Sequence, residues 1–214
     1  WTGGSFSGGS VGIASGGVVN MTSVVDHVLS GVTFNNSGTV NANVGMLSID
    51  GGGSDSGSYN VASGAVCNFN GGTRTLSAGW KTTGAGAVTI TGGTTNVSGA
   101  VSTGGNLAMA GGTLGGPGSL TVGGTFNITA GSTMNSSAML ITQGTSLVTA
   151  NLNFSGNWIN QGTLTVGGGG YFYFGAGGGN ASLTNAAGAT LNLSSSHATP
   201  ITYYGYTGTF NNAG

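Results

Sequence analysis

The sequence has almost no charge. Charged side chains make up 2% of its 214 residues, with three acidic and two basic residues and a formal net charge of −1. Ordinary globular domains carry roughly 25% charged residues. Recognition of phosphates needs clustered Lys and Arg, which two basic residues cannot supply. The composition therefore excludes nucleic acid as a partner, and the surface must consist mainly of Ser, Thr, Asn and Gly.

Cysteine pairs, long apolar runs and helix-forming segments are also missing. The one cysteine, Cys67, has no partner for an intrachain disulfide. No apolar run reaches the roughly 18–20 residues with which a helix spans a bilayer. Gly, Ser, Thr and Asn, which dominate the chain, are poor helix formers. We therefore expect no membrane-spanning helix and very little helix of any kind.

The chain contains 48 glycine residues, and a high glycine content is common in disordered chains. Disordered chains, however, combine low hydrophobicity with high net charge. Here the mean hydropathy is +0.20, and the apolar residues recur periodically. These two properties favour a folded protein.

Apolar residues recur every 19–21 residues along most of the chain. Two residues before each apolar residue of the main series lies a partner position, and the residue between the two is small or polar. This alternation is typical of a half-buried strand. The main column of predicted inward positions comprises Leu29, Ile49, Phe69, Ile90, Met109, Ile128, Leu147 and Val166. Two further columns comprise Val40, Val61, Trp80, Val101, Leu120, Leu140 and Ile159, and Leu76, Val97, Leu114, Met134, Phe154 and Phe174.

A strand in every repeat of about 20 residues is typical of a solenoid. The three columns predict an all-β fold, a right-handed parallel β-helix with three short strands per rung. We expect one β-solenoid over 1–214, with irregular first rungs at 1–25, regular rungs at 26–166 and longer, aromatic-rich rungs at 167–214. Because neither end shows a capping element, we expect an excerpt of a longer chain, with ends that pair with neighbouring rungs or a second copy.

Three segments carry a resemblance to a known family. Gly118-Ser-Leu-Thr-Val-Gly-Gly124, Gly162-Thr-Leu-Thr-Val-Gly-Gly168 and Asn185-Ala-Ala-Gly-Ala-Thr-Leu-Asn-Leu193 resemble the strand repeats of bacterial autotransporter passengers and filamentous-haemagglutinin-like proteins. The resemblance extends over roughly residues 29–193. It implies a secreted β-helix at the bacterial cell surface, with an adhesive or fibre-forming role.

The chain offers few residues for catalysis or metal binding. Asp50 and Asp55 are the only close pair of carboxylates, whereas glycoside hydrolysis needs two that face each other across the sugar. We interpret them as turn residues in a glycine-rich corner that cap backbone amides. The segment Gly51–Asp55 weakly resembles a calcium-binding nonapeptide, so a weak calcium site at Asp50 and Asp55 stays an alternative. We predict that the protein is not an enzyme and that it binds no cofactor.

The histidines and the cysteine are interpreted as structural. His27 falls in an inward column and is expected to be partly buried at an irregular first rung and hydrogen-bonded locally. His197 is expected on a distant rung, so the two share no metal. Cys67 is expected to be an inert, buried thiol.

Aromatic residues and sequons are the candidate contact sites. In the run 171–174, Phe172 and Phe174 are predicted core residues. The candidate glycan or partner contacts are Tyr171, Tyr173, Tyr203, Tyr204 and Tyr206, because exposed aromatics stack on sugar rings or on partner chains. The candidate glycosylation sites are the sequon residues Asn96, Asn127 and Asn153.

The sequence as a whole favours a structural or adhesive module of an extracellular bacterial fibre, adhesin or matrix filament, without catalysis. An ice-binding or glycan-binding β-helix is the alternative, since Thr89/Thr91 and Thr163/Thr165 are threonine pairs of the type found on ice-binding faces, although their column is mixed. A polysaccharide-degrading enzyme is a third and weaker hypothesis.

Overall fold

The chain forms a β-solenoid. The computed structural model describes residues 2–135 and 137–214. Over these ranges it contains thirty short strands and no helix, and hence no helix that is able to cross a membrane. The all-β fold predicted from the sequence is confirmed.

The strands follow one another at short intervals. In chain order they are β1 (Gly4–Ser7), β2 (Ser10–Ile13), β3 (Val18–Met21), β4 (His27–Ser30), β5 (Thr33–Asn36), β6 (Thr39–Ala42), β7 (Met46–Ile49), β8 (Gly53–Asp55), β9 (Ser58–Val61), β10 (Val66–Phe69), β11 (Thr73–Ser77), β12 (Lys81–Thr83), β13 (Ala87–Ile90), β14 (Thr94–Ser98), β15 (Ala100–Thr103), β16 (Asn106–Met109), β17 (Thr113–Gly115), β18 (Ser119–Val122), β19 (Phe126–Ile128), β20 (Ser132–Met134), β21 (Met139–Thr142), β22 (Thr145–Val148), β23 (Asn151–Phe154), β24 (Gly156–Asn160), β25 (Thr163–Gly168), β26 (Tyr171–Phe174), β27 (Ala181–Asn185), β28 (Thr190–Ser195), β29 (Ile201–Tyr203) and β30 (Gly208–Asn212).

Every third strand belongs to the same face of the coil. Sheet A has ten strands in the order β1-β4-β7-β10-β13-β16-β19-β22-β25-β28, and sheet B has ten in the order β2-β5-β8-β11-β14-β17-β20-β23-β26-β29. The third face consists of sheet C, β12-β9-β6-β3, followed by sheet D, β15-β18-β21-β24-β27-β30. The structure therefore has three strands per rung, as predicted.

A side-chain contact replaces the strand ladder where sheet C meets sheet D. The Thr82 amide donates to the Thr103 hydroxyl at 2.8 Å, and that hydroxyl donates to the Thr82 carbonyl at 3.0 Å. The buried Thr103 hydroxyl thus satisfies the Thr82 amide and carbonyl, which in a continuous sheet would pair with the backbone of the next strand.

The core is a stack of like residues. Phe69 pairs in register with Ile49 on one side and with Ile90 on the other. Ile90 pairs with Met109, and Met109 pairs with Ile128. All five side chains are buried. One rung cannot bury these residues alone, so the neighbouring rungs supply each other's core.

Two predicted inward positions, Leu147 and Ile159, are wrong. Val148 pairs with Ile128 and is fully buried, whereas Leu147 is 36% exposed on the outer face of sheet A. Trp158 pairs with Leu140 and is also fully buried, whereas Ile159 lies on the outer side.

The cause is a change in rung length. The main column steps by 20 residues from Ile128 to Val148 and by 18 from Val148 to Val166, not by 19 twice. Since successive side chains of a strand point to opposite faces, an error of one residue in the expected period exchanges inside for outside.

This register gives a stability prediction. We expect Ile128→Asp to lower the free energy of unfolding by at least about 3–5 kcal/mol, because an unpaired carboxylate would be buried between two apolar layers. Leu147→Asp, on the outer side of the next layer, is the matched control and should cost no more than about 1 kcal/mol. Denaturant unfolding of both variants is the measurement. Equal destabilisation by the two substitutions would contradict the register.

Candidate binding surfaces and the buried ion pair

The structure separates the two candidate carboxylates. Asp50 is half-buried on the outer side of its rung, where it accepts hydrogen bonds from Ser48 Oγ at 2.8 Å and Asn70 Nδ2 at 3.1 Å. Asp55 ends β8 with a fully buried side chain that forms an ion pair with Arg74. A calcium ion at Asp55 would have to displace a buried guanidinium. Among the described residues, no three His, Cys, Asp or Glu side chains come together as a metal site.

The buried ion pair is part of a network across three layers of sheet B. Arg74 in β11 donates through Nη1 to Asp55 in β8 and to the Phe34 carbonyl in β5, the latter at 3.2 Å. Tyr59 donates its hydroxyl proton to Asp55 Oδ1 at 2.6 Å. The guanidinium carbon also lies 4.7 Å from the ring centroid of Phe69. Charge, hydrogen bonds and a cation–π contact thus meet inside the coil.

A glycine makes room for this network. Gly53 in β8 pairs in register with Arg74 and has a φ of +145°, where residues with a Cβ are strained. A Cβ at this position would collide with the backbone carbonyl of Phe34 in the layer before it. The glycine run that we interpreted as a corner is therefore also the start of a strand that passes close to its neighbour.

Burial sets the ionisation properties of the network. It raises the pKa of the Asp55 carboxyl above its ordinary value, against the opposing effects of the Arg74 charge and the Tyr59 hydrogen bond. It also raises the pKa of Tyr59 well above its ordinary value, and the Asp55 charge adds to this effect. Burial raises the pKa of the Cys67 thiol to about 12, so this thiol stays protonated at neutral pH, as an inert buried cysteine should.

The strand pattern of the sequence indicated an inward position for Arg74, which an arginine rarely occupies. Leu76 was placed inward, and Arg74 lies two residues earlier in the same strand. Strand alternation puts both on the inner face. Arginine is rarely buried without a partner, so its one partner had to be an acidic residue in a neighbouring layer.

The structure places His27 and His197 at opposite ends of the coil. His27 is fully buried and pairs in register with Leu47, a member of the inner core. His197 is half-buried and follows β28, at the other end of the solenoid. The two rings therefore lie on distant rungs, as expected from their separation in the sequence.

Outward aromatic residues gather at β26. Phe172 and Phe174 are fully buried, whereas Tyr171 and Tyr173 point outward, as predicted. The His197 ring stacks on Tyr171 with 4.2 Å between centroids and 23° between planes. These rings, with Tyr204 at 5.0 Å from Tyr173, form what we call the aromatic patch.

The aromatic patch borders a shallow concavity. Its volume is about 240 Å³, and it is lined by Tyr171, Tyr173, His197, Thr199 and Thr202. The lining contains no Asp, Glu, Lys or Arg, and it combines ring faces with two hydroxyl groups. Sites that enclose drug-sized ligands have volumes of roughly 300–1,000 Å³, so this concavity can hold one unit of a longer molecule.

The other candidate tyrosines have different surroundings. Tyr203 pairs in register with the buried Phe174, so it continues an inward column, yet it is 54% exposed because it lies in the last layer of sheet B. Tyr206 lies after β29 and is also exposed. The sequence analysis treated the tyrosines as one group of contact sites. In the structure Tyr203 lies on the end surface of the coil, not on its side wall.

The three sequon residues lie within strands. Asn96 is in β14, Asn127 in β19 and Asn153 in β23, and each side chain is half-buried on an outer face. All three amides thus point away from the core, and their use as glycosylation sites stays a prediction.

A polar ladder runs through the corner before sheet A. Asn160 Nδ2 donates to Asn185 Oδ1 at 2.7 Å, and Asn185 Nδ2 donates to Asn212 Oδ1 at 2.8 Å. Asn160 and Asn185 are buried, and the ladder satisfies their amides layer by layer. These are the asparagines of the long, glycine-containing turns in the C-terminal third of the sequence.

A second ladder lies on the outer face of sheet B. Thr73 pairs in register with Thr94, Thr94 with Thr113, and Thr113 with Thr133. Successive hydroxyls are therefore one strand spacing apart, roughly 4.8 Å. The pairs Thr89/Thr91 and Thr163/Thr165 expected from the sequence lie elsewhere, around sheet A. There Thr89 pairs with Ala108 and Thr165 with Asn192, whereas Thr163 pairs with Thr145 and Thr190.

Comparisons with protein-family models, with curated proteins and with solved structures give no match to this chain.

The ion pair yields a prediction on stability and pH. Arg74→Met should lower the free energy of unfolding by about 3–5 kcal/mol at pH 7, because it leaves the Asp55 carboxylate buried without its partner. Lys81→Met, which removes the exposed cation of β12, is the control and should cost less than about 0.5 kcal/mol. In Arg74→Met nothing cationic opposes burial, so the pKa of Asp55 rises further than in the wild type.

The pH dependence has a definite sign. The unfolded chain releases the Asp55 proton near the ordinary pKa of 3.8, whereas the folded variant retains it to higher pH. The free energy of unfolding of Arg74→Met should therefore fall as pH rises from 4 to 7, and the double variant Asp55→Leu/Arg74→Met should lack this slope. Urea unfolding at several pH values is the measurement. A single variant as stable at pH 7 as at pH 4 would show that Asp55 is not buried.

Proposed function

We propose that this chain is a structural and adhesive module of an extracellular bacterial fibre, with no catalytic activity of its own. The observation that carries the proposal is that the first and the last described layers each have a parallel neighbour on one side only. Phe6, Val11 and Val19 pair in register with the inward residues Leu29, Phe34 and Val40, so they are the inward positions of the first layer. Phe6, Val11, Val19, Leu29 and Phe34 surround an apolar concavity of about 320 Å³.

The opposite end has the same character. Leu193, Tyr203 and Phe210 pair in register with the buried residues Val166, Phe174 and Leu183. Each of the three is an inward position of one face of the last layer, and each is 37–54% exposed. The two end surfaces are thus apolar, nearly uncharged and edged by parallel strands.

Such ends can be covered by one more parallel layer. This layer comes either from further rungs of a longer chain or from a second copy, which presents the opposite end surface. Head-to-tail contact between copies builds an open filament. A net charge near zero opposes this contact only weakly. The extracellular, cell-surface location is part of the proposal and follows from the resemblance to autotransporter passengers and filamentous-haemagglutinin-like proteins.

The absence of catalysis is supported by the positions of the carboxylates. Asp55 is neutralised by Arg74 inside the core, and Asp50 is held by Ser48 and Asn70 on the outside. Neither residue faces another carboxylate across a groove, as glycoside hydrolysis requires.

Association in solution tests the proposal. The chain should form head-to-tail oligomers at micromolar concentration, and Leu193→Lys should raise the dissociation constant about tenfold or more by placing a charge in the end surface. Val66→Lys is the matched control, because Val66 is 36% exposed on the side wall in β10, away from both ends. Sedimentation velocity over a concentration series is the measurement. A chain that stays monomeric throughout, or equal effects of the two lysines, would contradict the proposal.

A second candidate function, ice binding, is favoured by the threonine ladder of sheet B. Regularly spaced, uncharged hydroxyls on a flat β-face suit the surface of a water lattice. We expect thermal hysteresis if this candidate is right, and Thr113→Tyr should abolish most of it by disrupting the ladder. Thr121→Tyr, on the outer face of sheet D, is the control. Nanolitre osmometry that finds no hysteresis in the unmodified chain would eliminate this candidate.

A further inference from the structure

The structure assigns a neutral, extended polysaccharide as the ligand of the aromatic patch, with one sugar ring in the concavity between Tyr171, Tyr173 and His197. This inference rests on the adhesive role proposed above and names the site and the ligand class that serve it. It concerns the side wall of the solenoid, not the end surfaces.

The first argument is the form of the patch. Tyr171 and Tyr173 share the outer side of one strand, with 6.1 Å between their ring centroids. Tyr171 stacks on His197, and the buried Phe172 and Phe174 anchor the same strand in the core. The platform is therefore built on a rigid strand, which limits the conformational entropy that the rings lose when a ligand binds.

The second argument is the mixture of groups around the rings. Pyranose rings have apolar C–H faces that pack on aromatic rings and a rim of hydroxyl groups that need hydrogen-bond partners. Thr199 and Thr202 lie in the wall of the concavity. Asn151 and Asn153 pair in register with Tyr171 and Tyr173 one layer away. Hydroxyl and amide groups thus surround an aromatic platform, as a sugar requires.

The third argument is charge, which decides the class of sugar. The carboxylates of an acidic polysaccharide bind most strongly where several cationic side chains pair with them. The one arginine of the chain, Arg74, is buried in the core, and Lys81 lies in β12 of sheet C, on another face. No lysine or arginine side chain is therefore available at the patch, and a neutral sugar is the ligand that the site can desolvate without an unpaired charge.

The fourth argument is the direction of the ligand. The concavity holds only one ring, yet the outer face of sheet B continues from it with polar residues at every layer. Asn153 pairs with Thr133, which is the first residue of the threonine ladder on the way along the rod. A chain in an extended conformation can follow this line at one strand spacing, roughly 4.8 Å, per layer.

Calorimetric titration tests the inference. Cellohexaose, a neutral and extended glucan oligosaccharide, is the probe, and hexagalacturonate is the acidic comparison. We expect the full chain to bind cellohexaose, with no binding of hexagalacturonate. Tyr171→Ala and Tyr173→Ala should each weaken binding about tenfold or more, since each removes half of the platform. Tyr171→Phe should stay within about threefold of the unmodified chain, because the ring face is retained.

Thr209→Ala is the matched control. Thr209 lines a second polar concavity, together with Asn157, Asn180 and Ser182 and without an aromatic ring. Its replacement should leave cellohexaose binding unchanged. Thermal unfolding of every variant verifies that the fold is retained.

Several outcomes would overturn the inference. Equal binding of hexagalacturonate would refute the claim that the ligand is a neutral sugar. Unchanged cellohexaose binding by Tyr171→Ala would refute the claim that the aromatic patch is the binding site. A chain that oligomerises head to tail but does not bind cellohexaose would leave the structural role standing and refute the glycan site. Failure of oligomerisation with intact, tyrosine-dependent cellohexaose binding would have the opposite meaning.

Discussion

The register of parallel strands is the constraint on which the rest of this structure depends. Each layer places its inward residues directly above those of the layer before, so Phe69 lies between Ile49 and Ile90 of the neighbouring layers. No single rung has enough apolar surface to fold alone. The stack is therefore stable in its interior and exposed at its ends, which is the physical origin of both end surfaces. Because side chains alternate, the same register that fills the core presents Tyr171, Tyr173 and the threonine ladder on the outside.

The few charges of the chain follow from the same constraint. An outer surface of Ser, Thr, Asn and Gly needs no charge to pair its backbone, since every strand has a parallel neighbour. The only arginine is used inside, where it joins three layers through Asp55, the Phe34 carbonyl and the Phe69 ring. Burying an ion pair brings little net stability in comparison with apolar packing, but it penalises any register in which Arg74 and Asp55 do not meet. In a repeat protein whose layers are similar, this penalty selects one alignment.

The architecture could be predicted from the sequence, because it depends on a period. The spacing from Leu29 to Ile128 gave the rungs and the inner column, and the alternation within 171–174 gave the correct orientation of all four aromatic residues. The prediction failed at Leu147 and Ile159 because the rung length changes there. Successive inward positions are 20 and then 18 residues apart, whereas a constant spacing of 19 was expected. Corners absorb such changes without leaving a clear trace in the sequence. The buried ion pair was missed because Asp55 was interpreted as a turn residue and Arg74 was not assigned an inward position. The association of His197 with Tyr171 depends on the path of the turn after β28, which no periodic pattern specifies.

Amide hydrogen exchange, followed by mass spectrometry of the whole chain, tests the central claim that each layer is stabilised by the layers on both sides of it. Dilute conditions, in which the chain is monomeric, are required. The account predicts the slowest exchange in the middle layers, from β10 to β22, and progressively faster exchange towards β1–β3 and β28–β30, which have a neighbour on one side only. Exchange that is equally slow in the terminal layers and in the middle would contradict this account, since the ends would then be stable without a covering layer.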